Sequence, residues 1–196
     1  MSEYTYPYYF SDSDFIKGDV AMTKEEIRVI TVLKLKLKTG QSVIDIGAGT
    51  GTVSVQIARI VNPGFVYSVE KSDNAIDLIR KNCEKFEIKN LQIIKGEAPD
   101  IIEELTGLDR VFIGGSGGNL EKILSWAHRN LNAKGRIVAN AVTLDALNTT
   151  EKFFKEKKYS DVEIVQVSIS KFKDTGSSKM LKANYPVFVI SGEKSE

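Results

Sequence analysis

Short apolar segments alternate with amphipathic stretches along most of this chain. The largely apolar segments are Val43–Ile46, Phe65–Val69, Leu91–Ile94, Arg110–Ile113 and Arg136–Ala139. The stretches with helical spacing of apolar residues are Val53–Val61, Asn74–Phe86, the short Pro99–Leu105, Leu120–Leu131 and Leu144–Lys157. Strands that are apolar on both faces and separated by helices are typical of a parallel sheet covered on each side. The pattern therefore predicts a series of strand–helix units.

The pattern changes near both ends of the chain. Thr23 to Glu26 has the residue types of a helix capping box, which predicts a helix that continues at helical spacing to Leu37 and ends at Gly40. Val162–Ser170 and Val187–Ser191 are two strand-like segments without a convincing helix between them. We therefore predict an α/β fold, doubly wound, with a mostly parallel seven-stranded sheet and a terminal antiparallel hairpin.

The first residues form a separate, aromatic segment. Five aromatic side chains occur among the first ten residues, at Tyr4, Tyr6, Tyr8, Tyr9 and Phe10. Since exposed aromatic clusters are unfavourable, we expect this segment to pack on its own domain, on a partner subunit or on a ligand. We predict an N-terminal arm over residues 1–22 and a single domain over residues 23–196.

Composition narrows the class of protein and its partners. A chain of 196 residues is long enough for one domain with a full core, and its net charge of +1 gives no global attraction to nucleic acid or membrane. Cys83 and His128 are the single residues of their types, so we expect no disulfide framework and no metal site. No apolar segment is long enough to cross a bilayer and no signal peptide is visible. We expect a cytoplasmic protein.

The strongest chemical signal is a glycine-rich turn after the first strand. It has the spacing G-x-G-x-G and consists of Gly47, Ala48, Gly49, Thr50 and Gly51. Such a turn lets the backbone approach a ligand at the amino end of a helix. A dinucleotide fingerprint would need glycine where Thr52 stands. A tight turn without a ligand and a nicotinamide site are the alternatives.

Acidic residues on either side of this turn sharpen the prediction. Glu70 ends the next strand, where a carboxylate can accept hydrogen bonds from both ribose hydroxyls of an adenosine group. Asp45 precedes the glycines, and this arrangement resembles motif I of methyltransferases that use S-adenosylmethionine. In those enzymes the segment after the third strand contacts adenine, which favours Glu97 and the backbone of Ala98. A solvated residue at a helix start is the alternative for Glu97.

A second glycine-rich turn, Gly114–Gly118, follows the fourth strand, at the position that faces the transferred methyl group in methyltransferases. It lacks the Asn or Asp followed by Pro-Pro and an aromatic residue that amino-methylating nucleic-acid enzymes usually carry. Four glycines leave a wide space bordered by backbone N–H groups, which suits a bulky, planar, anionic acceptor. A flexible loop without such a role is the alternative.

Four motifs together resemble one family, the decarboxylating cobalt-precorrin methyltransferases of vitamin B12 synthesis, which act at carbon 15 of the corrinoid ring. The motifs are Gly18-x-Val20-Ala21-Met22-Thr23-Lys24, Asp45-Ile46-Gly47-Ala48-Gly49-Thr50-Gly51, Phe112-Ile113-Gly114-Gly115-Ser116-Gly117-Gly118 and Ala139-Asn140-Ala141-Val142-Thr143-Leu144. The resemblance extends from about Phe15 to Gly192. Ala21 departs from it, because the family commonly has proline there, which should affect loop stiffness more than chemistry.

The resemblance implies a Rossmann-like class I methyltransferase that transfers a methyl group to carbon 15 with loss of carbon dioxide from a ring acetate. It implies S-adenosylmethionine contacts at Thr23, at the first glycine turn, at Glu70 and at Ala98, and a homo-oligomeric assembly, which is a homotetramer in the family. For the tetrapyrrole substrate, the predicted contacts are Gly115, Ser116, Gly117, Asn140, Thr143, Lys179 and Lys182. We assign no catalytic acid or base, since a sulfonium methyl is already electrophilic and a meso carbon already nucleophilic.

The lysines among these contacts belong to a basic connection between the last two strands. Lys171, Lys173, Lys179 and Lys182 are opposed there by Asp174 alone, and they could bind ring carboxylates or simply be solvated. Two other functions are the alternatives for the whole chain. One is a nucleic-acid methyltransferase that modifies a transfer-RNA base, and the other is a non-catalytic binding protein of the same fold.

Overall fold

The expected alternation of strands and helices is present in the computed structural model, which describes residues 9–176 and 178–195. The strands are β1 (Ser42–Ile46), β2 (Phe65–Glu70), β3 (Leu91–Lys95), β4 (Leu108–Ile113), β5 (Leu131–Ala141), β6 (Ser160–Val167), β7 (Ser170–Asp174), β8 (Lys179–Ala183) and β9 (Val187–Glu193). The helices are α1 (Glu25–Lys34), α2 (Thr52–Val61), α3 (Asp73–Lys85), α4 (Leu120–Asn130) and α5 (Leu144–Glu156). Tyr4, Tyr6 and Tyr8 of the aromatic arm lie outside the described residues.

Seven strands form one sheet in the order β3-β2-β1-β4-β5-β9-β6. β1 to β5 pair in parallel, whereas β9 is antiparallel to both of its neighbours, β5 and β6. This confirms the predicted fold class. The strand order reverses between β1 and β4, and at such a switch point the loops after the two strands part and leave a crevice at their carboxyl ends.

Both faces of the sheet carry a hydrophobic core, because successive residues of a strand point to opposite faces. On β1, Ile44 and Ile46 pack in a cluster with Trp126 of α4, and Val43 packs in another cluster with Ile57 of α2. All of these side chains are buried. Packing on both faces holds the end of β1, and so the first glycine turn, in a fixed position.

The predicted capping box at the start of α1 is wrong. The N-cap residue is Lys24, and no side chain caps the helix. Glu26 is engaged elsewhere, since Lys171 Nζ of β7 lies 2.5 Å from its Oε1. The Thr23 carbonyl accepts a hydrogen bond from Arg28 Nη1 at 3.0 Å. Long-range partners therefore replace the local reciprocal hydrogen bonds.

α1 also ends earlier than predicted, at Lys34. Two buried arginines on adjacent strands meet its carboxyl end. Arg110 Nε of β4 donates to the Leu35 carbonyl at 2.7 Å, and Arg136 Nε of β5 donates to the Lys34 carbonyl at 2.6 Å. Positive groups at a helix carboxyl end satisfy its free carbonyls and complement its dipole. These contacts define the end of the helix.

Two connections also differ from the sequence predictions. The short helix expected over Pro99–Leu105 is reduced to a 3₁₀ turn at Asp100–Ile102. The segment expected as one strand, Val162–Ser170, is divided between β6 and β7, and β7 pairs with β8 in a separate, exposed antiparallel hairpin. No helix among the described residues is both long and apolar enough to span a membrane.

The described part of the arm packs on the domain around one arginine. Arg28 is fully buried and donates to the Phe10 carbonyl at 2.7 Å and to Asp12 Oδ1 at 3.0 Å. Phe10 itself packs against Phe15 and Phe86, with ring centroids 5.9 and 4.5 Å away. The guanidinium group therefore connects α1 to the chain that leads into the site.

Candidate active site

The turn after β1 is built so that backbone faces the crevice. The Gly47 and Ala48 amides donate to the Val69 carbonyl of β2 at 2.9 and 3.1 Å. Gly47 has φ +75°, and a Cβ there would lie 2.5 Å from the Gly115 carbonyl oxygen. Gly49 has φ +57°, and a Cβ there would lie 2.9 Å from the Ala21 carbonyl oxygen. Side chains are excluded at both positions, which leaves a cradle of bare backbone.

The Glu70 carboxylate is held rigidly at the end of β2. Its Oε2 accepts from the Gly49 amide at 2.9 Å, and its Oε1 accepts from the Lys71 and Ser72 amides at 2.8 and 2.9 Å. A carboxylate has about four acceptor positions, so about one remains beyond these three hydrogen bonds, at the cavity that Glu70 lines. The group is thus preorganised to accept a further hydrogen bond.

Asp45 lies beneath this turn, completely buried. Its Oδ2 accepts from Ser54 Oγ at 2.5 Å, and Ser54 Oγ lies 3.0 Å from Ser68 Oγ. Its Oδ1 has no hydrogen-bond partner among the described residues. Burial raises the pKa of Asp45 to about 7, a net value that includes the lowering effect of the Ser54 hydrogen bonds and the raising effect of the negative charge of Glu70. The environment thus favours the protonated carboxyl group.

The segment at positions 20–24 closes one side of the crevice. Arg28 holds this segment through the Thr23 carbonyl, and the arm before it is held by Asn82. The Asn82 side chain exchanges hydrogen bonds with the backbone of Ile16 and donates to the Thr50 carbonyl at 2.9 Å. Asn82 and Arg28 therefore connect the arm to the first glycine turn and position Thr23.

The segment after β3 forms the next part of the wall. Ala98 is buried, whereas the Glu97 side chain is half exposed and lies 3.2 Å from Lys71 Nζ. Both residues line the crevice. A Cβ on Gly117 would lie 2.8 Å from Glu97 Oε1, so this ion pair packs against the second glycine turn.

The second glycine turn follows β4, beside the first. The Gly114 and Gly115 amides both donate to the Ile46 carbonyl of β1, at 2.9 and 3.2 Å. Residues from the ends of β5 and β9 also line the crevice. Among them, Asn140 is half buried. Val142 and Tyr185 are 70% and 90% exposed although both line the crevice. This end is wide and partly apolar.

One cavity of about 520 Å³ joins all these parts. The predicted site residues that line it are Thr23, Gly47, Ala48, Gly49, Glu70, Glu97, Ala98, Gly115, Ser116, Gly117 and Asn140. The structure therefore brings together most of the residues that the sequence singled out, from both the cofactor and the substrate sets.

Five predicted site residues do not line this cavity. Thr50 is buried behind the first turn, and Gly51 is the N-cap of α2, packed on Ile79. Thr143 caps α5 by accepting from the Ala146 amide at 3.2 Å, and with Ser116 it lines a second cavity of about 400 Å³. Lys179 and Lys182 are exposed on β8.

Sequence reasoning assigned no role to several lining residues. Lys71 follows Glu70 directly, so its place at the strand end could have been inferred. Val142 lies inside a family motif. Asn184 and Tyr185 carry no sequence signal, because they reach the cavity only when the β7–β8 hairpin folds back, with the Asn184 amide donating to the Ile169 carbonyl at 2.9 Å. No cluster of three or more His, Cys, Asp or Glu suited to a metal ion occurs within the described ranges.

Comparison with known proteins agrees with this geometry. A model of the precorrin methyltransferase domain matches residues 14–194. The chain is 40% identical over 179 residues to a probable cobalt-precorrin-6B C(15)-methyltransferase (decarboxylating) of Saccharolobus solfataricus, covering 90% of each chain. It is 35% identical over 187 residues to the Salmonella typhimurium protein named cobalt-precorrin-6B C(15)-methyltransferase (decarboxylating), covering 94% of this chain and 96% of that one.

A solved structure is similar over nearly the whole length. It is the crystal structure of precorrin-6y C5,15-methyltransferase from Geobacter metallireducens, with 36% sequence identity and a TM-score of 0.88. The superposition covers 96% of this chain and 100% of that chain. The likeness therefore extends over the fold as a whole.

Proposed function

The chain belongs to the precorrin methyltransferase family, and we propose that it transfers a methyl group from S-adenosylmethionine to carbon 15 of a cobalt-precorrin, with loss of carbon dioxide from a ring acetate. One observation carries the proposal. A single cavity joins the backbone cradle and Glu70 at one end to the second glycine turn at the other. Donor and acceptor can therefore occupy the same space side by side.

The first end of the cavity fits S-adenosylmethionine. The Gly47–Gly49 backbone would face its amino-acid part, and the remaining acceptor position of the Glu70 carboxylate would take a ribose hydroxyl. Ala98 would lie against the adenine. Bound there, the reagent supplies an electrophilic methyl group. The nearby Asp45 is buried and hydrogen bonded to Ser54, so its role is to support the turn rather than to touch the ligand.

The second end fits a large, flat, carboxylate-bearing ring. The Gly114–Gly118 turn presents no side chain larger than Ser116, while Val142 and Tyr185 offer exposed apolar surface. Lys179 and Lys182 are exposed on the hairpin whose base lines the cavity, and we propose that they attract ring carboxylates from outside it. Lys171 differs, because it is paired with Glu26.

The residues around the cavity act mainly by holding the two reactants in position. The lining contains no His or Cys. Its acidic groups are already engaged, Glu70 by three backbone amides and Glu97 by Lys71. Orientation of reacting groups at contact distance contributes up to about 7–11 kcal/mol in favourable cases. We propose that this chain uses orientation of the reactants rather than a dedicated base.

Two measurements test the function. Calorimetric titration with S-adenosylmethionine should show one site per chain. Turnover of cobalt-precorrin-6B with methyl-labelled S-adenosylmethionine should then give a product that mass spectrometry shows to have gained a methyl group and lost carbon dioxide. Transfer of the label to transfer RNA and to no tetrapyrrole would contradict the proposal and favour the nucleic-acid alternative. Cofactor binding without any transfer would favour the non-catalytic one.

We also propose the homotetramer that the family resemblance implies. Support comes from the β7–β8 hairpin, where the register partners Phe172 and Leu181 are 70% and 58% exposed. Apolar side chains of this size on a protruding hairpin are suited to burial between subunits. Light scattering during gel filtration measures the assembly, and a monomer at micromolar concentration would contradict it. Location in the cytoplasm and the lack of nucleic-acid or membrane partners stay predictions from the sequence.

A further inference from the structure

A buried hydroxyl group of α1 touches a side chain of the cavity wall. Thr31 is completely buried, and its Oγ1 donates to Asn140 Oδ1 at 3.1 Å. Asn140 lies at the end of β5 and lines the cavity on the side of the second glycine turn. Its neighbour Ala139 is the register partner of Ile113, the last residue before that turn.

In this structure the Thr31 hydroxyl donates to the oxygen of the Asn140 amide. An asparagine side chain has one acceptor oxygen and one NH₂ donor group on opposite sides of the amide. Because the Thr31 hydroxyl takes the oxygen, the NH₂ group is left for the cavity. No acceptor among residues 9–176 and 178–195 forms a hydrogen bond with Asn140 Nδ2. A half-buried donor without a partner among these described residues is suited to a ligand acceptor.

The Thr31 hydroxyl does not form the hydrogen bond that is usual for a threonine inside a helix. A threonine inside a helix commonly donates to a carbonyl one turn earlier in its own helix. Thr150 of α5, also fully buried, does this with the Ala146 carbonyl at 2.8 Å. Thr31 instead bonds a side chain 109 positions further along the chain. Its hydroxyl therefore contributes to the cavity rather than to its helix.

We infer that Thr31 is a positioning residue for the acceptor, holding the Asn140 amide so that its N–H groups donate to a carboxylate of the ring. This inference rests on the proposed function and deepens it. A neutral amide suits the task, because it can bind a carboxylate without itself being a charge that burial would penalise. Without the Thr31 hydroxyl, the amide is free to rotate and to present its oxygen to the carboxylate instead.

The test is the isosteric change Thr31→Val, which removes the hydroxyl and keeps the volume. We expect KM for cobalt-precorrin-6B to rise about five- to tenfold, the equivalent of one lost hydrogen bond, while the Kd for S-adenosylmethionine is unchanged. Thr31→Ser, which keeps the hydroxyl, should restore the wild-type KM. Thr150→Val is the matched control, and it should leave KM unchanged because the Thr150 hydroxyl bonds the Ala146 carbonyl of its own helix and no residue that lines the cavity.

A double-mutant cycle separates positioning from packing. If Thr31 acts through Asn140, Thr31→Val adds no further rise in KM to a protein that already carries Asn140→Ala. Equal effects of Thr31→Val and Thr150→Val, or an unchanged KM in an active Thr31→Val enzyme, would overturn the inference and leave the proposed function intact. A wild-type protein that transfers no methyl group to a cobalt-precorrin would remove both.

Discussion

Gly47 and Gly115 are in backbone contact, and only one of them can accept a side chain. A Cβ on Gly47 would lie 2.5 Å from the Gly115 carbonyl oxygen, whereas a Cβ on Gly115 would approach nothing closer than the Gly47 Cα, at 3.9 Å. Gly47 also has φ +75°, in the region that favours glycine. The two glycine turns therefore position each other. The Gly47–Gly49 cradle and the Gly114–Gly118 turn should shift only together.

This asymmetry predicts different outcomes for two similar changes. Gly47→Ala should lower the free energy of unfolding by at least about 2 kcal/mol, from the unfavourable φ and the backbone clash, and should abolish S-adenosylmethionine binding. Gly115→Ala should leave the free energy of unfolding within about 0.5 kcal/mol of wild type. Urea denaturation and calorimetry measure both, and equal stability of the two variants would disprove the contact.

Glu70 should dominate binding of the ribose. We expect Glu70→Ala to weaken S-adenosylmethionine binding by about 1.5–3 kcal/mol, the range for hydrogen bonds to a charged group. Glu70→Gln, which keeps one acceptor oxygen, should lose less. Glu84→Ala, at an exposed position on α3, is the control for loss of a negative charge. Wild-type affinity of Glu70→Ala in calorimetry would remove Glu70 from the site.

Asp45 should make stability depend on pH. Its pKa is raised by burial from 3.8 to about 7 in the folded state. The folded protein therefore binds the proton more tightly than the unfolded chain does. The resulting stabilisation is complete below the unfolded pKa and is lost as pH rises through the folded pKa, at up to about 1.4 kcal/mol per pH unit.

Asp45→Asn isolates this contribution, because an amide does not titrate in that range. The free energy of unfolding of wild type relative to Asp45→Asn should fall between pH 4 and pH 7, a window set by the two pKa values of Asp45, and stay level above it. Urea denaturation across the range measures the difference. A difference that rises with pH would show that Asp45 is ionised in the folded protein.

The hairpin lysines should attract the acceptor through charge. Replacing Lys179 and Lys182 together by alanine should raise KM for cobalt-precorrin-6B and leave S-adenosylmethionine affinity intact. The effect should shrink at high salt, because exposed charges are screened beyond about 10 Å at 0.1 M. Lys152 and Lys155, on the carboxyl half of α5 and also exposed, form the matched control pair. An equal rise in KM for both pairs would mean that only net charge matters.

The elements of the sheet and the central part of the site were predictable from local pattern. Val43–Ile46 is apolar on both faces, so it had to be a buried strand, and the glycines after it had to form its exit turn. Glu70 ends the neighbouring strand. Because adjacent parallel strands end at the same edge, the carboxylate and the turn meet there, and Gly49 N lies 2.9 Å from Glu70 Oε2.

Local pattern was misleading where a distant residue competes for the same group. Thr23 and Glu26 have the spacing of a capping box, yet Lys171 pairs with Glu26, and the Thr23 carbonyl is held by Arg28. An ion pair or a guanidinium hydrogen bond is stronger than a neutral cap, so the tertiary partner prevails. The same competition ends α1 at Lys34, where Arg136 supplies the donor.

The sequence by itself therefore determined the succession of the seven sheet strands and of α1 to α5 along the chain, together with the cradle and Glu70, because each of these follows from neighbours along the chain. Only the tertiary structure decided what surrounds them. Arg28 reaches the Phe10 carbonyl, Asn82 reaches the Thr50 carbonyl and Thr31 reaches Asn140. Such contacts join residues whose separation along the chain carries no periodic signal. They form when the packed sheet and helices bring particular donors and acceptors within hydrogen-bond distance, since a buried polar group left without a partner would cost about 1–3 kcal/mol.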